Sequence, residues 1–394
     1  MKILHAISGI ETINGGPSVA LGGLARAQVR AGFDVGIVAT YHQRADHPHG
    51  QAIAKGLQDD GIDVTRVGPA TTKFSRHPDI VPTLQRLVPE YDVVHIHGLF
   101  EEIQHQAGRI SRKHKTAHLY RTCGMVDPWS LKQGWLRKKL YFMLRLNRDL
   151  RGATAMHAVT PMEKKHIEDL NFGSPVLMEL NGIDLEEFRD LPEPGGLRRR
   201  LPEAEGRPIV LFLSRLHPKK ALDVLIPAVR RVIDKSPDAP PYLALVGPIA
   251  RGYEETVDAL LTASNMDGHA TKVGMLHGRD RLEAFVDADV YALPSYQENF
   301  GIAVVEAMAA GVPTIASDNV AVSHLFHESG AGVMCKAEAG DVATKLTELL
   351  QDAQRRKQLG EAGRAWAMDT FDWNAIAERW KDHYAKLVAD MASA

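Results

Sequence analysis

The chain has little cysteine, almost no net charge and no long apolar run, and each shortage excludes a class of protein. Two cysteines in 394 residues, Cys123 and Cys335, give neither a disulfide framework nor the spacing of metal ligands. The 47 basic and 49 acidic side chains nearly cancel, which argues against general nucleic-acid binding. No apolar stretch is long enough to span a membrane, and the first residues lack the pattern of a signal peptide. We therefore expect a cytoplasmic protein that binds no nucleic acid.

Short apolar runs alternate with helical periodicity along the chain, which is typical of parallel β-α-β units. The length suggests two domains of about 190 residues each. The alternation is interrupted at 181–184 and by the Pro- and Gly-rich segment 191–196, which we interpret as a linker region. The predicted strands are 3–7, 34–39 and 93–97 before this region, and 209–213, 243–246 and 290–293 after it. The predicted fold class is α/β, with two Rossmann-like doubly wound domains facing each other across a ligand-binding cleft.

Two glutamates, Glu298 and Glu306, stand eight residues apart in the most informative stretch of the sequence. An apolar run over 290–293 predicts a buried strand, and the loop after it leads into a helix that ends near Gly311. Such a strand-to-helix turn directs free backbone N–H groups and the positive end of the helix dipole at a phosphate. At ~1.5 Å rise per residue the carboxylates are at most about 12 Å apart. That distance fits the span from a hexose to a ribose across a diphosphate.

This stretch resembles the signature of the retaining GT-B glycosyltransferases of family four, the group 1 transferases. The pattern is two glutamates separated by seven residues, with Phe-Gly after the first and Glu-Ala-Met-Ala-x-Gly-x-Pro around the second. The resemblance implies that Glu298 holds the donor sugar and Glu306 the nucleotide ribose. It also implies donor contacts at Asn299, Phe300 and Gly301. Taken singly, either glutamate would ordinarily be a solvated helix or turn residue.

Two cations, Arg215 and Lys220, follow the predicted strand 209–213. A leaving nucleoside diphosphate needs its developing negative charge neutralised, and the family carries the same pair in this loop. A glycine usually follows the lysine there, whereas this chain has Ala221. The alternative is two surface cations, which is how most Arg and Lys side chains occur.

The resemblance implies further nucleotide contacts that depend on backbone rather than on side chains. In the second domain these are Gly247, in the turn after strand 243–246, and Met275, in the segment whose backbone contacts the base. In the first domain, Gly15 and Gly16 link the first strand to the first helix and allow N–H groups to approach a phosphate. A Gly-Gly pair on its own is most often only a turn.

Candidate acceptor residues lie in the first domain. Segment 121–129 resembles the acceptor-side loop of the family, in the version found in bacterial polysaccharide transferases. Cys123 stands where many relatives carry a histidine, so a histidine-assisted mechanism lacks its residue here, and the alternative for Cys123 is an inert, packed thiol. Asp127 could bind sugar hydroxyls and Trp129 could stack on a sugar ring, with core packing as the alternative for Trp129.

Metal ligands are not evident. His97 ends the predicted strand 93–97 and is a further acceptor-side candidate, while His95 lies deeper on the same face. Because no third ligand is in evidence, we interpret these two as hydrogen-bonded structural histidines. Asp287-Ala288-Asp289 spells a metal motif of a different glycosyltransferase fold, but its place between a helix and a strand is typical of capping. We expect no metal and no other cofactor.

A basic segment, 132–151, carries seven cations against the single acid Asp149, with apolar side chains between them. A basic amphipathic helix can lie on an anionic bilayer, which would place the protein at the inner face of the cell membrane. The alternative is a solvated basic face above an apolar stripe that packs on the core.

Together, these patterns predict a retaining, metal-independent hexosyltransferase. It would move a sugar from a nucleotide-diphosphate donor to a saccharide or lipid-linked acceptor in cell-surface polysaccharide biosynthesis. Residues 1–185, with a returning helix over 373–394, would form the acceptor-side domain, and 186–372 the donor domain. The alternatives are a GT-B nucleotide-sugar epimerase and a non-catalytic regulator that binds nucleotide sugars.

Overall fold

The computed structural model describes residues 1–11, 16–42, 48–71, 74–128, 130 and 140–393. The chain divides into two compact units. Unit 1 comprises Met1–Ile183 together with Trp373–Ala394, and unit 2 comprises Asp184–Asp372. The boundary therefore falls within the predicted linker region, in its Asn-Gly-Ile-Asp part, whereas the Pro- and Gly-rich segment 191–196 belongs to unit 2.

The strands are short and mostly buried, as the apolar runs predict. In chain order they are β1 (Lys2–Ile7), β2 (Asp34–Thr40), β3 (Asp63–Val67), β4 (Val93–His97), β5 (Ala117–Arg121), β6 (Ala155–Ala158), β7 (Val176–Met178), β8 (Ile209–Leu213), β9 (Tyr242–Val246), β10 (Ala270–Gly274), β11 (Val290–Leu293), β12 (Thr314–Ser317) and β13 (Val333–Cys335). The six predicted strands all exist, with ends that agree to within one residue.

Helices connect these strands. Among the described residues they are α1 (Gly16–Arg30), α2 (Pro48–Asp59), α3 (Ile80–Leu87), α4 (Glu102–His114), α5 (Asn147–Arg151), α6 (Pro161–Asp169), α7 (Gly196–Arg200), α8 (Leu222–Lys235), α9 (Glu254–Ala263), α10 (Gly278–Val286), α11 (Ile302–Ala309), α12 (Phe326–Ser329), α13 (Ala339–Gln351), α14 (Ala353–Thr370) and α15 (Trp373–Ala392). None of these helices is both long and apolar enough to cross a membrane.

Each unit is built on one parallel sheet. The order is β3-β2-β1-β4-β5-β6-β7 in unit 1 and β10-β9-β8-β11-β12-β13 in unit 2. In both sheets the order reverses beside the first strand, between β1 and β4 and between β8 and β11. Ligands of doubly wound sheets bind outside the carboxyl ends of the strands at this reversal. The predicted α/β class with two Rossmann-like domains is confirmed.

The C-terminal helix α15 packs on unit 1. Its side chains Trp380 and Tyr384 are fully buried there. At its start, Trp373 lies so close to α1 that a Cβ on Gly23 would come within 2.2 Å of the indole nitrogen. Glycine at position 23 is therefore required by this contact, which fixes α15 against α1.

The basic segment lies only partly within the described residues, because 131–139 are outside them. In the described part, Leu146 and Leu150 are buried in the core of unit 1. Arg145 pairs with Glu102 at 3.1 Å. This half of the segment therefore has the core-facing apolar stripe of the alternative interpretation, and membrane binding through 132–139 stays a prediction.

Candidate active site

In unit 2, the neighbouring strands β8 and β11 each end in a loop that carries predicted site residues. The loop after β8 brings Arg215 and Lys220, and the loop after β11 brings Glu298. The two loops are joined directly, because the Tyr296 N–H donates to the Lys219 carbonyl at 2.9 Å. The predicted cations and the first glutamate thus meet where the strand order reverses.

Lys220 and Glu298 form an ion pair, in which the ammonium donates to Glu298 Oε2. The two side chains are only 13% and 23% exposed. Burial acts to raise the pKa of the Glu298 carboxyl, but the charges of Lys220, Lys219 and Arg215 outweigh it and lower that pKa. Glu298 is therefore ionised at neutral pH. Arg215 is exposed and makes no ion pair within the described part of the chain.

The segment that carries Glu298 is held in place by backbone hydrogen bonds. The Glu298 N–H donates to the Asn319 carbonyl at 2.9 Å, and the Glu298 carbonyl accepts from the Ala321 N–H at 3.0 Å. Gly301 ends the segment with φ +101°, and a Cβ there would lie 2.9 Å from Val320. Only glycine adopts this conformation without strain, so the Phe-Gly of the signature has a local structural cause.

Helix α11 starts directly after this glycine. Its first intrahelical bonds run from Val304 and Val305 to the Gly301 carbonyl, at 2.9 and 3.3 Å. The N–H groups of Ile302 and Ala303 precede these bonds and are left without an intrahelical acceptor by helix geometry. With the helix dipole they make an anion-binding end beside the loop that carries Lys220.

Glu306 lies a little more than one turn inside α11, as predicted, and is 9% exposed. Arg281 of α10 donates to Glu306 Oε1 at 2.6 Å and also bonds Glu187. Burial raises the pKa of the Glu306 carboxyl, and Arg281 offsets only part of this rise. Sequence reasoning missed Arg281, since an arginine in a helical pattern carries no signal of the carboxylate it meets in the fold.

The other predicted donor contacts differ in how accessible their side chains and backbone N–H groups are to a ligand. A Cβ on Gly247 would come 2.0 Å from the Ser214 carbonyl oxygen, so the glycine is required by packing between the turns after β8 and β9. Its own N–H already donates to the Gly274 carbonyl at 2.8 Å. Met275 is 48% exposed, whereas Phe300 is 3% exposed and packs in the core. Any donor contact of Phe300 would therefore come from its backbone.

Ala221 takes the left-handed conformation that a glycine would take without strain. Its φ and ψ are 55° and 48°, at the start of α8. The alanine that replaces the family's usual glycine thus has a backbone conformation that is disfavoured for a residue with a Cβ. The turn still forms, and Lys220 directly before it reaches Glu298.

The Asp-x-Asp motif binds backbone, in accordance with the capping interpretation. Asp287 accepts from the N–H groups of Gly195 and Arg198, at 2.5 and 3.0 Å. Asp289 accepts from the Ile209 N–H at 2.8 Å. Both carboxylates therefore fix the start of α7 and of β8.

In unit 1, the glycine loop lies mostly outside the described residues. Gly15 is among those outside, and Gly16 is the first residue of α1. Two residues further on, the Ser18 hydroxyl donates to the Gly9 carbonyl at 2.8 Å. A phosphate contact at Gly15 or Gly16 stays a prediction.

A third imidazole joins His95 and His97, so the statement that no third ligand is in evidence was wrong. His5 lies opposite His95 in the parallel register of β1 and β4, and one ligand nitrogen of each of the three lies within 4.8 Å of the others. The rings hydrogen-bond: His5 Nδ1 to His97 Nε2 at 2.9 Å, and His95 Nε2 to His157 Nδ1 at 3.1 Å. Burial lowers the pKa of all four, that of His5 to about 4. They are neutral and hydrogen-bonded, as structural histidines are.

The acceptor-side loop is fixed by a residue that the sequence did not single out. Glu163 of α6 accepts from the Thr122 hydroxyl at 2.5 Å and from the Gly124 N–H at 2.8 Å. Between them, Cys123 has φ +53°, and burial raises the pKa of its thiol to about 11. The thiol is protonated at neutral pH and lacks the activation of a nucleophile.

The last two acceptor candidates are placed differently. Asp127 Oδ2 lies 3.5 Å from Nδ1 of His166 in α6, so the carboxylate of Asp127 is held beside the loop. Trp129 lies outside the described residues, and its stacking on a sugar stays a prediction.

Comparison with known proteins bears on both units. Residues 15–181 match the family model of the glycosyl transferase 4-like domain, and residues 196–366 match that of the glycosyl transferases group 1. Among solved structures, Anabaena HepE in complex with UDP and glucose is similar in fold, with a TM-score of 0.78 and 20% identity over 98% of this chain and 100% of that one. This likeness shows the GT-B fold.

Curated relatives are similar in sequence over part of their length. The D-inositol 3-phosphate glycosyltransferase of Nocardia farcinica is 28% identical over 75% of this chain and 66% of that protein. A GDP-mannose-dependent alpha-(1-6)-phosphatidylinositol monomannoside mannosyltransferase of Mycobacterium tuberculosis is 33% identical over 51% of this chain and 53% of that protein. The matches thus span between about half and two thirds of these relatives. With both family models matched in order along the chain, the protein belongs to the group 1 glycosyltransferases.

Proposed function

We propose that this protein is a retaining glycosyltransferase that transfers a sugar from a nucleotide-diphosphate donor without a metal ion. The observation that carries the proposal is the meeting of Arg215, Lys220 and Glu298 beside the start of α11, with Glu306 further along the same helix. Cations and helix N–H groups suit a diphosphate, and carboxylates suit sugar hydroxyls.

The ion pair between Lys220 and Glu298 has a role in this proposal. The donor diphosphate would draw the Lys220 ammonium to itself, and the ionised Glu298 would then accept hydrogen bonds from the sugar. Glu306 would accept from the ribose hydroxyls. Since the pair is formed before the donor arrives, both side chains are already near their working positions, which lowers the entropy lost on binding.

Retention is proposed to follow from a front-face displacement. No carboxylate of the sequence stands out as a covalent nucleophile, so the leaving phosphate itself would take the proton of the acceptor hydroxyl as the new bond forms on the same face. Arg215, Lys220 and the N–H groups of α11 would stabilise the charge that develops on the diphosphate.

The acceptor is proposed to be a saccharide or a lipid-linked saccharide, bound by unit 1. Its candidate contacts are His97, Asp127 and Trp129, whereas Cys123 would only pack. The names of the relatives support this class, since one acts on D-inositol 3-phosphate and another on a phosphatidylinositol mannoside. A role in cell-surface polysaccharide synthesis, at the inner face of the membrane, is the matching proposal.

The proposal is tested by a thermal-shift screen with nucleoside diphosphates and their sugars, followed by product analysis. A ligand at a hundred times its dissociation constant stabilises the fold by ~2.7 kcal/mol. The nucleotide sugar that raises the melting temperature most is therefore identified as the donor. Transfer of the labelled sugar to an added glycan supports the proposal. Conversion of the donor to its epimer would identify an epimerase, and tight donor binding with neither transfer nor hydrolysis would identify a regulator.

A further inference from the structure

Arg121 is a buried cation without an anionic partner. It is the last residue of β5 and is 3% exposed. Its Nη2 donates to the neutral Asn181 Oδ1 at 2.6 Å, while its Nε and Nη1 are buried without a hydrogen-bond partner. Within the described ranges it makes no ion pair. A buried charge that lacks a counter-ion costs free energy, and such a group calls for a specific explanation.

The position of Arg121 is that of a ligand-binding residue. Its neighbour in the parallel register is His97, the last residue of β4, so both side chains lie on one face at the carboxyl edge of the sheet. β4 borders the point where the strand order of unit 1 reverses, and ligands of such sheets bind beyond this edge. The nearby imidazoles of His5 and His157 are neutral and supply no counter-charge.

A hydrogen-bond chain that starts at Gln28 determines which nitrogen of His97 carries the proton. Gln28 Nε2 donates to the Tyr384 hydroxyl at 3.0 Å, and Gln28 Oε1 lies 2.7 Å from His5 Nε2. His5 Nε2 must therefore donate, which leaves His5 Nδ1 as the acceptor for His97 Nε2 at 2.9 Å. His97 Nδ1 then carries a lone pair, and it too is buried without a partner.

The second branch of the chain agrees with this assignment. The Tyr384 hydroxyl accepts from Gln28, so it donates to His95 Nδ1 at 2.9 Å. His95 Nε2 then donates to His157 Nδ1 at 3.1 Å, and His157 Nε2 donates to the Glu179 carbonyl at 3.0 Å. Every ring N–H in both branches finds an acceptor. The one nitrogen of the four rings that this network leaves unused is His97 Nδ1.

Two donors of a guanidinium and one acceptor nitrogen, all without a partner, thus belong to residues that are neighbours at the carboxyl ends of two adjacent strands of unit 1. The guanidinium fork matches a carboxylate or a phosphate, with which it forms charge-assisted hydrogen bonds. The lone pair of His97 Nδ1 matches a hydroxyl that donates. Sugars that carry a carboxylate or a phosphate next to a free hydroxyl combine these groups.

We propose that Arg121 and His97 form a subsite for an anionic sugar, in which Arg121 binds the oxyanion and His97 Nδ1 accepts from the adjacent hydroxyl. The inference rests on the proposed function, since it names the class of acceptor that unit 1 holds. Gln28 is a positioning residue of this subsite, because it sets the tautomer of His97 through His5.

Anion binding tests the subsite without any turnover. The probes are D-glucuronate for the carboxylate source, inorganic phosphate for the phosphate source and D-glucose as the neutral control, measured by thermal shift on wild type and variants. Glucuronate, phosphate or both should raise the melting temperature of wild type more than glucose does. The probe that does so shows whether the subsite binds a carboxylate or a phosphate. Arg121→Met should weaken that binding roughly 10- to 100-fold, as expected for loss of a charge-assisted hydrogen bond. Arg121→Lys, which keeps the charge but loses the fork, should fall between.

The matched control is Arg109→Met on α4, whose Nε donates to Gln106 on the exposed face of the helix. It should bind the probes as wild type does. Without any probe, Arg121→Met should melt at a higher temperature than wild type, because it removes a buried charge that lacks a partner. If Arg121→Met melts lower and keeps the anion response, Arg121 is a structural residue and the subsite is refuted.

Two further measurements separate the parts of the proposal. Nitrogen-15 spectra of the histidine rings should show His97 protonated at Nε2, and a proton on Nδ1 would overturn its role as hydroxyl acceptor. In transfer assays, Arg121→Met should raise KM for anionic acceptors far more than KM for neutral ones, whereas the control Arg109→Met should change neither KM nor donor hydrolysis. Transfer with equal KM for neutral and anionic acceptors in both proteins would refute the subsite while the proposed function stands. Absence of any donor turnover would refute the proposed function, and the anion-binding result would still decide the subsite.

Discussion

Arg281 Nη1 donates a hydrogen bond to Glu306 Oε1 over 2.6 Å, and the same guanidinium bonds Glu187. Arg281 lies on α10 and Glu306 on α11, so the contact joins two helices of unit 2 at the carboxylate that is proposed to hold the ribose. Glu187 lies four residues after Ile183, the last residue of the first of the two segments that form unit 1. The guanidinium therefore orients Glu306 and ties it to the start of the unit.

Arg281→Met should weaken donor binding roughly 5- to 30-fold. The reason is that Glu306 loses a charge-assisted hydrogen bond that orients it and is worth about 1–2 kcal/mol. Titration calorimetry with the donor checks this. Arg279→Met is the matched control, since Arg279 is 72% exposed and lies 3.7 Å from Glu283 on the same helix. Equal losses in the two variants would contradict a specific role for Arg281.

Glu298→Gln and Glu306→Gln should differ in the ligand that they affect. Glu306→Gln should weaken the binding of the bare nucleoside diphosphate and of the donor alike, since both ligands contain the ribose. Glu298→Gln should weaken transfer much more than binding of the bare diphosphate. Calorimetry with the two ligands separates these outcomes, and equal losses of diphosphate affinity would contradict the division of roles.

Alanine at Arg215 or Lys220 should lower the transfer rate by roughly 10²- to 10³-fold if each stabilises the leaving diphosphate. The rate of a single turnover with saturating donor is the measurement. Lys235→Ala, at the last residue of α8, is the control for simple loss of a cation from unit 2. A drop of similar size in that control would show that general charge, not position, is responsible.

The stability of the fold should depend on pH through Glu306. Burial raises its pKa in the folded state above the unfolded value, so its contribution to stability is complete below the unfolded pKa and is lost as pH rises through the folded pKa. Glu306→Gln removes this loss. Urea unfolding from pH 4 to pH 8 should therefore show the variant gaining stability relative to wild type as pH rises, and a gain in the opposite direction would contradict the raised pKa.

Ala221→Gly should stabilise the protein by about 0.5–1 kcal/mol, because the residue is left-handed and glycine adopts that conformation without strain. Ala228→Gly, inside α8, is the matched control and should destabilise by about 1 kcal/mol. Chemical denaturation of both variants checks the pair of signs. Destabilisation by both would mean that the Cβ of Ala221 packs more favourably than its backbone strain costs.

The sequence predicted those parts of the site that depend on neighbours along the chain. Glu298, Gly301 and Glu306 belong to one strand-turn-helix segment, and their spacing alone places them around the start of α11. Lys220 was predicted through its loop, although its bond to Glu298 links residues 78 apart in sequence. The six predicted strands were predictable because each is a short, mostly buried apolar run.

The missed residues depend on contacts that form only in the folded chain. His5 meets His95 through the register of two strands, and Arg281 meets Glu306 across two helices. Arg121 is the first residue of the acceptor-side segment 121–129, but its lack of a counter-ion is a property of the neighbours that surround it in space. No local pattern distinguishes these three residues from ordinary strand or helix residues.

Sugar transfer by this protein is proposed to retain the anomeric configuration and to need no metal, and one measurement tests both properties. Transfer is followed by proton NMR with an excess of EDTA, once the donor and acceptor are known, and the anomeric coupling of the first-formed product is read. We predict full activity under EDTA and a product with the anomeric configuration of the donor. An inverted product, or activity that EDTA abolishes and magnesium or manganese restores, would contradict the account.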